Sequence, residues 1–431
     1  MTKIYFQTHG CSTNFSESEV MQGILTTSGF NIIKDKEEAD IIVLNICTAK
    51  GEKTALRELR KLNEEHGDKK LIVAGCIPPE LIPKIREITE DVSLISTHNI
   101  KKISEVVEEM IHDNLIDIVA KDEDEIKLNL PRIRKNSTVG IIPILSGCNS
   151  SCAYCSVKLI KGDLISYPVE EILKEVRNSI NNDCKELWVT SQDNAAYGLE
   201  NKHPSTLPAL LNQILEPNRE FKLRLGMMNP GNVLPILDDL INIYKNDKVF
   251  KFLHIPVQSG NDEVLKLMNR SYTTAQFKDI VNKFKEQIPH ITIATDIIVG
   301  FPTETDEQFD DSLNLIKEIK PDVINISKFQ PRPNTKALDL PQLDINTIKD
   351  RSRMLTDIFH NISRMQNERY HNWEGPILID EKGKDNTWVG RNFAYKPVIV
   401  KGDLKLGQTV NARINNITTF DLRAEIIRQT I

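Results

Sequence analysis

Long apolar runs are missing from this sequence of 431 residues. The longest, around 41–46 and 140–145, fall far short of the roughly 20 residues that cross a bilayer as a helix. Residues 1–11 contain no apolar core of the kind a secretory signal carries, and run straight into the strand-like stretch 3–8. Both absences predict a cytoplasmic protein without a membrane span. Excess positive charge is missing too. The 55 Lys and Arg stand against 61 Asp and Glu, a net charge of −6, which argues against a wholesale basic nucleic-acid binder. A local basic surface can still hide under an acidic total, and from His371 to Ile431 nine Lys and Arg outnumber seven Asp and Glu. No internal repeat and no low-complexity tract is present. The remaining composition, 40% hydrophobic and 27% charged, builds ordinary cores in two or three domains. Seven cysteines, an odd number in an intracellular-looking chain, argue against a disulfide framework. Six of them fall into two sets of three.

Apolar runs at 3–8, 40–46, 71–74 and 92–95 alternate with helical patterns and predict a parallel α/β domain over residues 1–120. The charged stretch 121–125 and then 131–135 has the look of a linker. From residue 135 to 365 the alternation resumes, with strands expected at 140–145, 186–190, 221–225, 252–257, 291–299 and 323–327. Val169, Ile172, Leu173, Val176 and Ile180 mark one face of a helix. Thr305 and Gln308 form a capping box before Phe309, Leu313 and Ile316. Six such units predict a partial (β/α)6 barrel. After a helical stretch at 346–370, short strands at 375–381, 388–392, 396–400, 409–414 and 423–427 predict a small β-barrel over residues 370–431.

Cys148, Cys152 and Cys155 form Cys-x3-Cys-x2-Cys after the first strand of the six-unit array. Three thiolates on one tight loop hold three irons of a [4Fe–4S] cube and leave the fourth open. Small neighbours (Gly147, Ser150, Ser151, Ala153) let the loop wrap closely. The competing reading is zinc, but a structural zinc wants four protein ligands, and no fourth Cys or His lies nearby. The arrangement resembles the radical S-adenosylmethionine (SAM) enzymes, with Tyr154 at their aromatic position. That resemblance implies chelation of SAM at the open iron and its reductive cleavage to a 5′-deoxyadenosyl radical.

Cys11, Cys47 and Cys76 are far apart in sequence, yet each follows a predicted strand. In a parallel sheet those strand ends share one edge, so the three thiols can converge on a second cluster. Taken singly, each reads as a buried structural cysteine, and His9 beside Cys11 as packed or solvated. Cys184 fits neither set and reads as structural. With three dispersed cysteines, a radical SAM core and a terminal barrel, the chain resembles the methylthiotransferase family over nearly its whole length. The barrel resembles the RNA-binding TRAM domain. Core stretches that carry the resemblance lie at 190–193, 196–198, 223–230, 254–260, 268–270 with Tyr272, 295–302 and 329–333. Thr303 and Asn334 stand where relatives often have Gly, which bears on turn geometry there.

The resemblance implies two [4Fe–4S] clusters and two uses of SAM. One SAM methylates a sulfur held at the N-terminal cluster; the other, cleaved at the loop cluster, yields the radical that activates an inert C–H bond, whose hydrogen the methylthio group replaces. It also implies a low-potential electron donor (ferredoxin or flavodoxin) and a sulfur donor. Gln192 and Asp193 could accept from SAM's amino group, although Asp193 could equally cap a helix. Arg224 could pair with SAM's carboxylate, or with Asp296 or Glu304. Gln258 and Ser259 could reach the ribose, and Gly300 and Phe301 the adenine, unless Phe301 belongs to the core. Among family substrates, the Ser166-Tyr167-Pro168 version of the stretch after the cluster loop, with 225–227, 252–254 and 294–296, is most similar to the archaeal and eukaryotic threonylcarbamoyladenosine branch. The substrate would then be the anticodon stem-loop of tRNA, at the adenosine just 3′ of the anticodon. Members acting on isopentenyl-adenosine tRNA or a ribosomal-protein aspartate are alternatives, as is a non-catalytic, metal-folded RNA-binding protein. In the terminal barrel, Lys382, Lys384, Arg391, Lys396, Lys401 and Arg413, interleaved with Trp388, Phe393 and Tyr395, are candidates for phosphate contact and base stacking; an ordinary solvated face would look the same.

Overall fold

The computed structural model describes residues 1–121, 125–200 and 205–427, so residues 122–124 of the charged stretch and the last four residues lie outside the description. The chain divides into two compact units. One comprises Met1–Lys135, Ile141–Asn149 and Cys155–Glu175; the other comprises Asn136–Gly140, Ser150–Tyr154 and Val176–Ile431.

In the first unit, six parallel strands lie in the order Asn31–Ile33, Lys3–Thr8, Ile41–Cys47, Lys70–Cys76, Val92–Ser96, Asp117–Ile118. The two central strands are buried along nearly their whole length because helices cover both faces. Ile42, Leu44, Ile46, Leu71 and Val73 pack with Leu56, Leu59 and Leu62 of the helix Thr48–Glu65. Ile41, Val43, Ile72 and Ala74 pack with Val20, Met21 and Leu25 of Ser12–Thr27 and with Val106 and Val107 of Ile103–Ile111. Residues 131–135, which look like a linker in the sequence, are held against the first helix. Ile133 N donates to Glu19 O at 2.9 Å, and a Cβ on Gly23 would come within 2.3 Å of Arg132 N.

The second unit carries the later strands of the six-unit array in sequence order, as two three-stranded sheets. Val139–Pro143, which begins in this unit, neighbours Glu186–Thr190 and then Lys222–Leu225; Phe252–His254 neighbours Thr292–Val299 and then Val323–Lys328. Backbone bonds from Phe250 N to Leu223 O (2.9 Å) and from Met228 N to His254 O (3.0 Å) join them edge to edge. The helix Asp306–Ile319 opens on the expected Thr305–Gln308 capping box, and Asp344 caps Ile345–Glu368. The terminal segment is a closed five-stranded barrel in the order Glu374–Lys382, Thr387–Arg391, Pro397–Lys401, Leu422–Ile426, Thr409–Ile417, filled by Ile377, Ile379, Val398, Val400, Ala412, Ile414 and Leu422.

Thr303 and Asn334 do take the glycine-like conformation, at φ 68° and 59°. Asn tolerates it, but a β-branched residue there is strained. Replacing Thr303 by Gly is therefore expected to stabilise the fold by about 0.5–1 kcal/mol, the relief of left-handed strain less the added unfolded-chain entropy. An anaerobic urea titration checks this, and an unchanged or lower midpoint would refute it.

Candidate functional site

Three cysteines meet at the carboxyl edge of the N-terminal sheet. Cys47 and Cys76 end adjacent strands as direct register partners. Cys11 follows Thr8, whose strand pairs with the other side of Ile41–Cys47, and N-caps the helix Ser12–Thr27. A buried amide pair sets this corner. Asn14 Nδ2 donates to Asn45 Oδ1 (3.3 Å) and Ile46 O (3.0 Å), while Asn45 Nδ2 donates to Asn14 O (2.9 Å) and Ser18 Oγ (2.8 Å). Gly75 sits at φ 103°, where a Cβ would strike Asn45 Oδ1 at 2.3 Å, so the strand can approach the amides only as glycine. Cys47 hydrogen-bonds to both other thiols. These bonds hold the Cys11 pKa down to about 5 and lower that of Cys76, while Cys47 is pushed far up. Three thiols gathered at one corner, two of them with lowered pKa, are the kind of donor set an iron–sulfur cube takes.

The loop cysteines are all half-buried. Cys148 N donates to Gly162 O at 3.3 Å, and Gly147, at φ 72°, has no room for a Cβ beside Asp163 O. Cys155 Sγ accepts from Val157 N at 3.4 Å, where the helix Val157–Lys161 starts. Cys152 Sγ accepts from Arg270 Nη1 at 3.0 Å. The same guanidinium donates to Tyr272 OH (2.9 Å) and Asn229 Oδ1 (3.0 Å). Burial opposes its charge, yet Tyr154, Tyr272 and Cys152 raise its pKa further. Ala153 is laced to this unit by its N to Met268 O (3.0 Å) and its O to Ala337 N (2.9 Å). Arg270, Asn14 and Asn45 carry no signal of these roles in the sequence, because each acts through a partner distant in sequence.

Several other expectations change on contact with the structure. Asp193 is the cap: its Oδ1 accepts from Ala195 N (3.1 Å) and Asn229 N (2.9 Å), and its Oδ2 from Asn232 Nδ2 (2.7 Å). Three donors inside the protein thus already hold its carboxylate. Ser259 is fully buried with its hydroxyl toward Ser312 Oγ (3.5 Å) and Asn261 N (3.3 Å), so it already has partners within the protein. Phe301 is core, packed edge-on against Phe329 at 5.5 Å and beside Ala153, Val264 and Met268. Gly300, at φ 72°, is crowded by Ile348 and donates its N–H to Glu304 Oε2 at 3.0 Å. Arg224 meets neither Asp296 nor Glu304. Its guanidinium lies over the rings of Trp188 (5.0 Å), Phe252 (5.3 Å) and Tyr395 (5.1 Å). Glu304 pairs with Arg351 at 2.7 Å, and Asp296 sits 2.8 Å from His254 Nε2. Gln258 takes φ 73°, a strained value for a non-glycine residue, fixed by bonds to Asp296 O and from Ile298 N. Gln192 Oε1 and Ser191 Oγ, just past the strand Glu186–Thr190, are buried acceptors without a partner among the described residues. Two such orphans at a strand's carboxyl end fit a polar ligand there.

In the barrel, two of the cations expected on RNA serve packing instead. Lys396 is buried against Asp322 (2.8 Å) and Asn367 (2.8 Å), and Arg391 pairs with Asp380 (2.8 Å). Tyr395 packs on Phe250 and Phe252 at 4.9 and 5.3 Å. Arg413, though exposed, is paired with Glu374 at 2.5 Å. Lys382, Lys384 and Lys401 are exposed.

Residues 142–316 match the Radical SAM superfamily, residues 3–97 the uncharacterized protein family UPF0004, and residues 368–427 the TRAM domain. The probable threonylcarbamoyladenosine tRNA methylthiotransferase of Pyrococcus horikoshii is 38% identical, over 99% of this chain and all of its own length. Its counterpart in Methanothermobacter thermautotrophicus is 36% identical over 93% of this chain and 94% of its own. The threonylcarbamoyladenosine tRNA methylthiotransferase of Danio rerio is 38% identical over 96% and 76%. Among solved structures, the radical SAM methyltransferase TsrM of Kitasatospora setae superposes with a TM-score of 0.57 at 13% identity, over 78% of this chain and 77% of that one, a likeness of fold alone.

Proposed function

This chain belongs to the threonylcarbamoyladenosine tRNA methylthiotransferases, and from that premise we propose that it converts threonylcarbamoyladenosine, just 3′ of the anticodon, to its 2-methylthio derivative. The observation that carries the reading is near-full-length identity of 38% to a relative so named. In this reading Cys148, Cys152 and Cys155 hold one [4Fe–4S] cluster and Cys11, Cys47 and Cys76 the other. When bound, the clusters would supply the sulfur and the electron, and SAM the methyl group and the radical.

The chain's own residues bind, orient and exclude water. Gln192 Oε1 and Ser191 Oγ are the acceptors left open for SAM's amino and hydroxyl donors. Arg270 holds the Cys152 sulfur through a charge-assisted hydrogen bond. Arg224, stacked on Tyr395, joins the core to the terminal barrel rather than holding SAM. A ferredoxin or flavodoxin would deliver the electrons and a separate donor the sulfur. No helix among the described residues is long and apolar enough to cross a membrane, and we assign the enzyme to the cytoplasm.

Exposed Lys382, Lys384 and Lys401 are the barrel cations we assign to tRNA phosphates. Replacing all three by Ala should weaken tRNA binding and flatten its dependence on log salt concentration by roughly 0.7–0.9 per lysine, since each contact releases condensed counterions. SAM cleavage without tRNA should not change. Filter binding at two salt concentrations tests this, and an unaltered slope would place the RNA elsewhere.

Mass spectrometry of tRNA nucleosides from cells with and without the gene tests the function. The 2-methylthio derivative should vanish on deletion, while threonylcarbamoyladenosine itself persists. Loss of a methylthiolated isopentenyl-adenosine instead, or an unchanged nucleoside profile, would overturn the assignment.

A further inference from the structure

Lys161 lies six residues after Cys155, at the end of the helix Val157–Lys161, and is buried in the N-terminal unit. Its ammonium donates to Glu17 Oε1 at 3.0 Å and to Thr97 Oγ1. A second buried ammonium, that of Lys127, reaches the same Glu17 oxygen at 2.8 Å and also Thr97 O. Thr97 Oγ1 donates to Glu17 Oε1 at 2.5 Å, so every contact made by the carboxylate falls on one oxygen, and Oε2 has no partner among the described residues.

This cluster adjoins the cysteine corner on two sides. Glu17 sits on the helix that Cys11 caps, and Thr97 N donates to Gly75 O at 2.7 Å, one residue before Cys76. Two cations therefore face one ionised carboxylate. Burial would raise the Glu17 pKa, but Lys127 and Lys161 bring it down to about 2. Glu125 is the other carboxylate near Lys127, with its own pKa raised by burial, and burial lowers that of His98. An excess buried cation is costly unless an anion faces it. The group this excess charge faces is the cysteine corner, reached through Thr97 N on Gly75 O and through the helix that carries Glu17 behind Cys11.

Resting on the cluster reading above, we propose that Lys161 is the fixed counter-charge of the Cys11/Cys47/Cys76 cluster, a positioning residue that strengthens binding of the anionic cube and raises its reduction potential. Net charge and nearby donors are what set such potentials. Lys161 extends from the same segment as Cys155, so the chain that carries one cysteine set also sets the electrostatics of the other.

The test uses the full chain with Cys148, Cys152 and Cys155 replaced by Ala, reconstituted anaerobically, so that one cluster remains and can be titrated with dithionite while its one-electron-reduced signal is followed by electron paramagnetic resonance. Lys161→Met leaves Lys127 to neutralise Glu17, so the fold keeps its ion pair. It should lower the reduced-to-oxidised ratio at fixed potential roughly tenfold, as expected for a unit charge about 10 Å away in a protein interior, which is 59 mV for one electron. Lys161→Arg should restore the ratio, and Glu17→Gln should shift it the opposite way. Iron lost from the Met variant and kept in the Arg variant would support the same role through affinity. An unchanged midpoint in the Met variant, or shifts of one sign in both Lys161→Met and Glu17→Gln, would overturn it. Absence of iron from the parent would instead overturn the cluster reading on which it rests.

Discussion

Replacing Cys148 by Ala will end reductive cleavage of SAM while the N-terminal cluster stays in place. A cube on three thiolates keeps one iron open for a substrate; on two it has no anchor at a second iron. The loop has no slack with which to recruit another ligand. Gly147 is pinned against Asp163, Cys148 N is tied to Gly162 O, and Ala153 is bonded on both sides to Met268 and Ala337. Cys184, the seventh cysteine, is buried beside the strand Glu186–Thr190 and belongs to the core there. The variant should therefore bind about four irons instead of about eight. With dithionite as reductant, 5′-deoxyadenosine should fall to the level seen without enzyme. Formation at the wild-type rate would show that Cys148 is not a ligand.

Much of the architecture was legible because it rests on local pattern. The strands Ile41–Cys47 and Lys70–Cys76 announce themselves as apolar runs, and the capping box at Thr305 marks its helix to the residue. The edge strands Asn31–Ile33 and Asp117–Ile118 were not legible, being too short for a period-two pattern to develop. The same limit applies within the site. Six cysteines stood out by spacing and by position at strand ends. Nothing in the sequence marks Lys127 and Lys161, because only the tertiary fold buries them on Glu17. Arg391 and Lys396 erred in the same way: their alternation with aromatics fits an RNA-binding face, yet Asp380 and Asp322, one from the barrel and one from the core, draw them inward. Charge pattern along a strand reports its two faces without saying which face meets solvent.

Replacing Cys11, Cys47 and Cys76 together by Ala will abolish methylthio transfer while SAM cleavage at the loop cluster continues. The three thiols form one group, with Cys47 hydrogen-bonded to both others, so they are best removed together. Their removal costs the Cys11 Sγ bond to Asn14 Oδ1 (3.3 Å) but should not unfold the corner, because the bonds of Asn14 to Ile46 O and of Asn45 to Asn14 O and the close approach at Gly75 remain. It does strip the anions from around Lys161, leaving Glu17 and Thr97 to hold it, so a modest loss of stability should accompany the loss of function. Iron should fall to about half. The nucleoside product should disappear, while 5′-deoxyadenosine still accumulates with dithionite. Full iron content in the triple variant would mean that these cysteines are packing residues only. Loss of 5′-deoxyadenosine along with the product would mean that radical generation itself depends on the N-terminal corner, and that the two cysteine sets do not divide the chemistry between them.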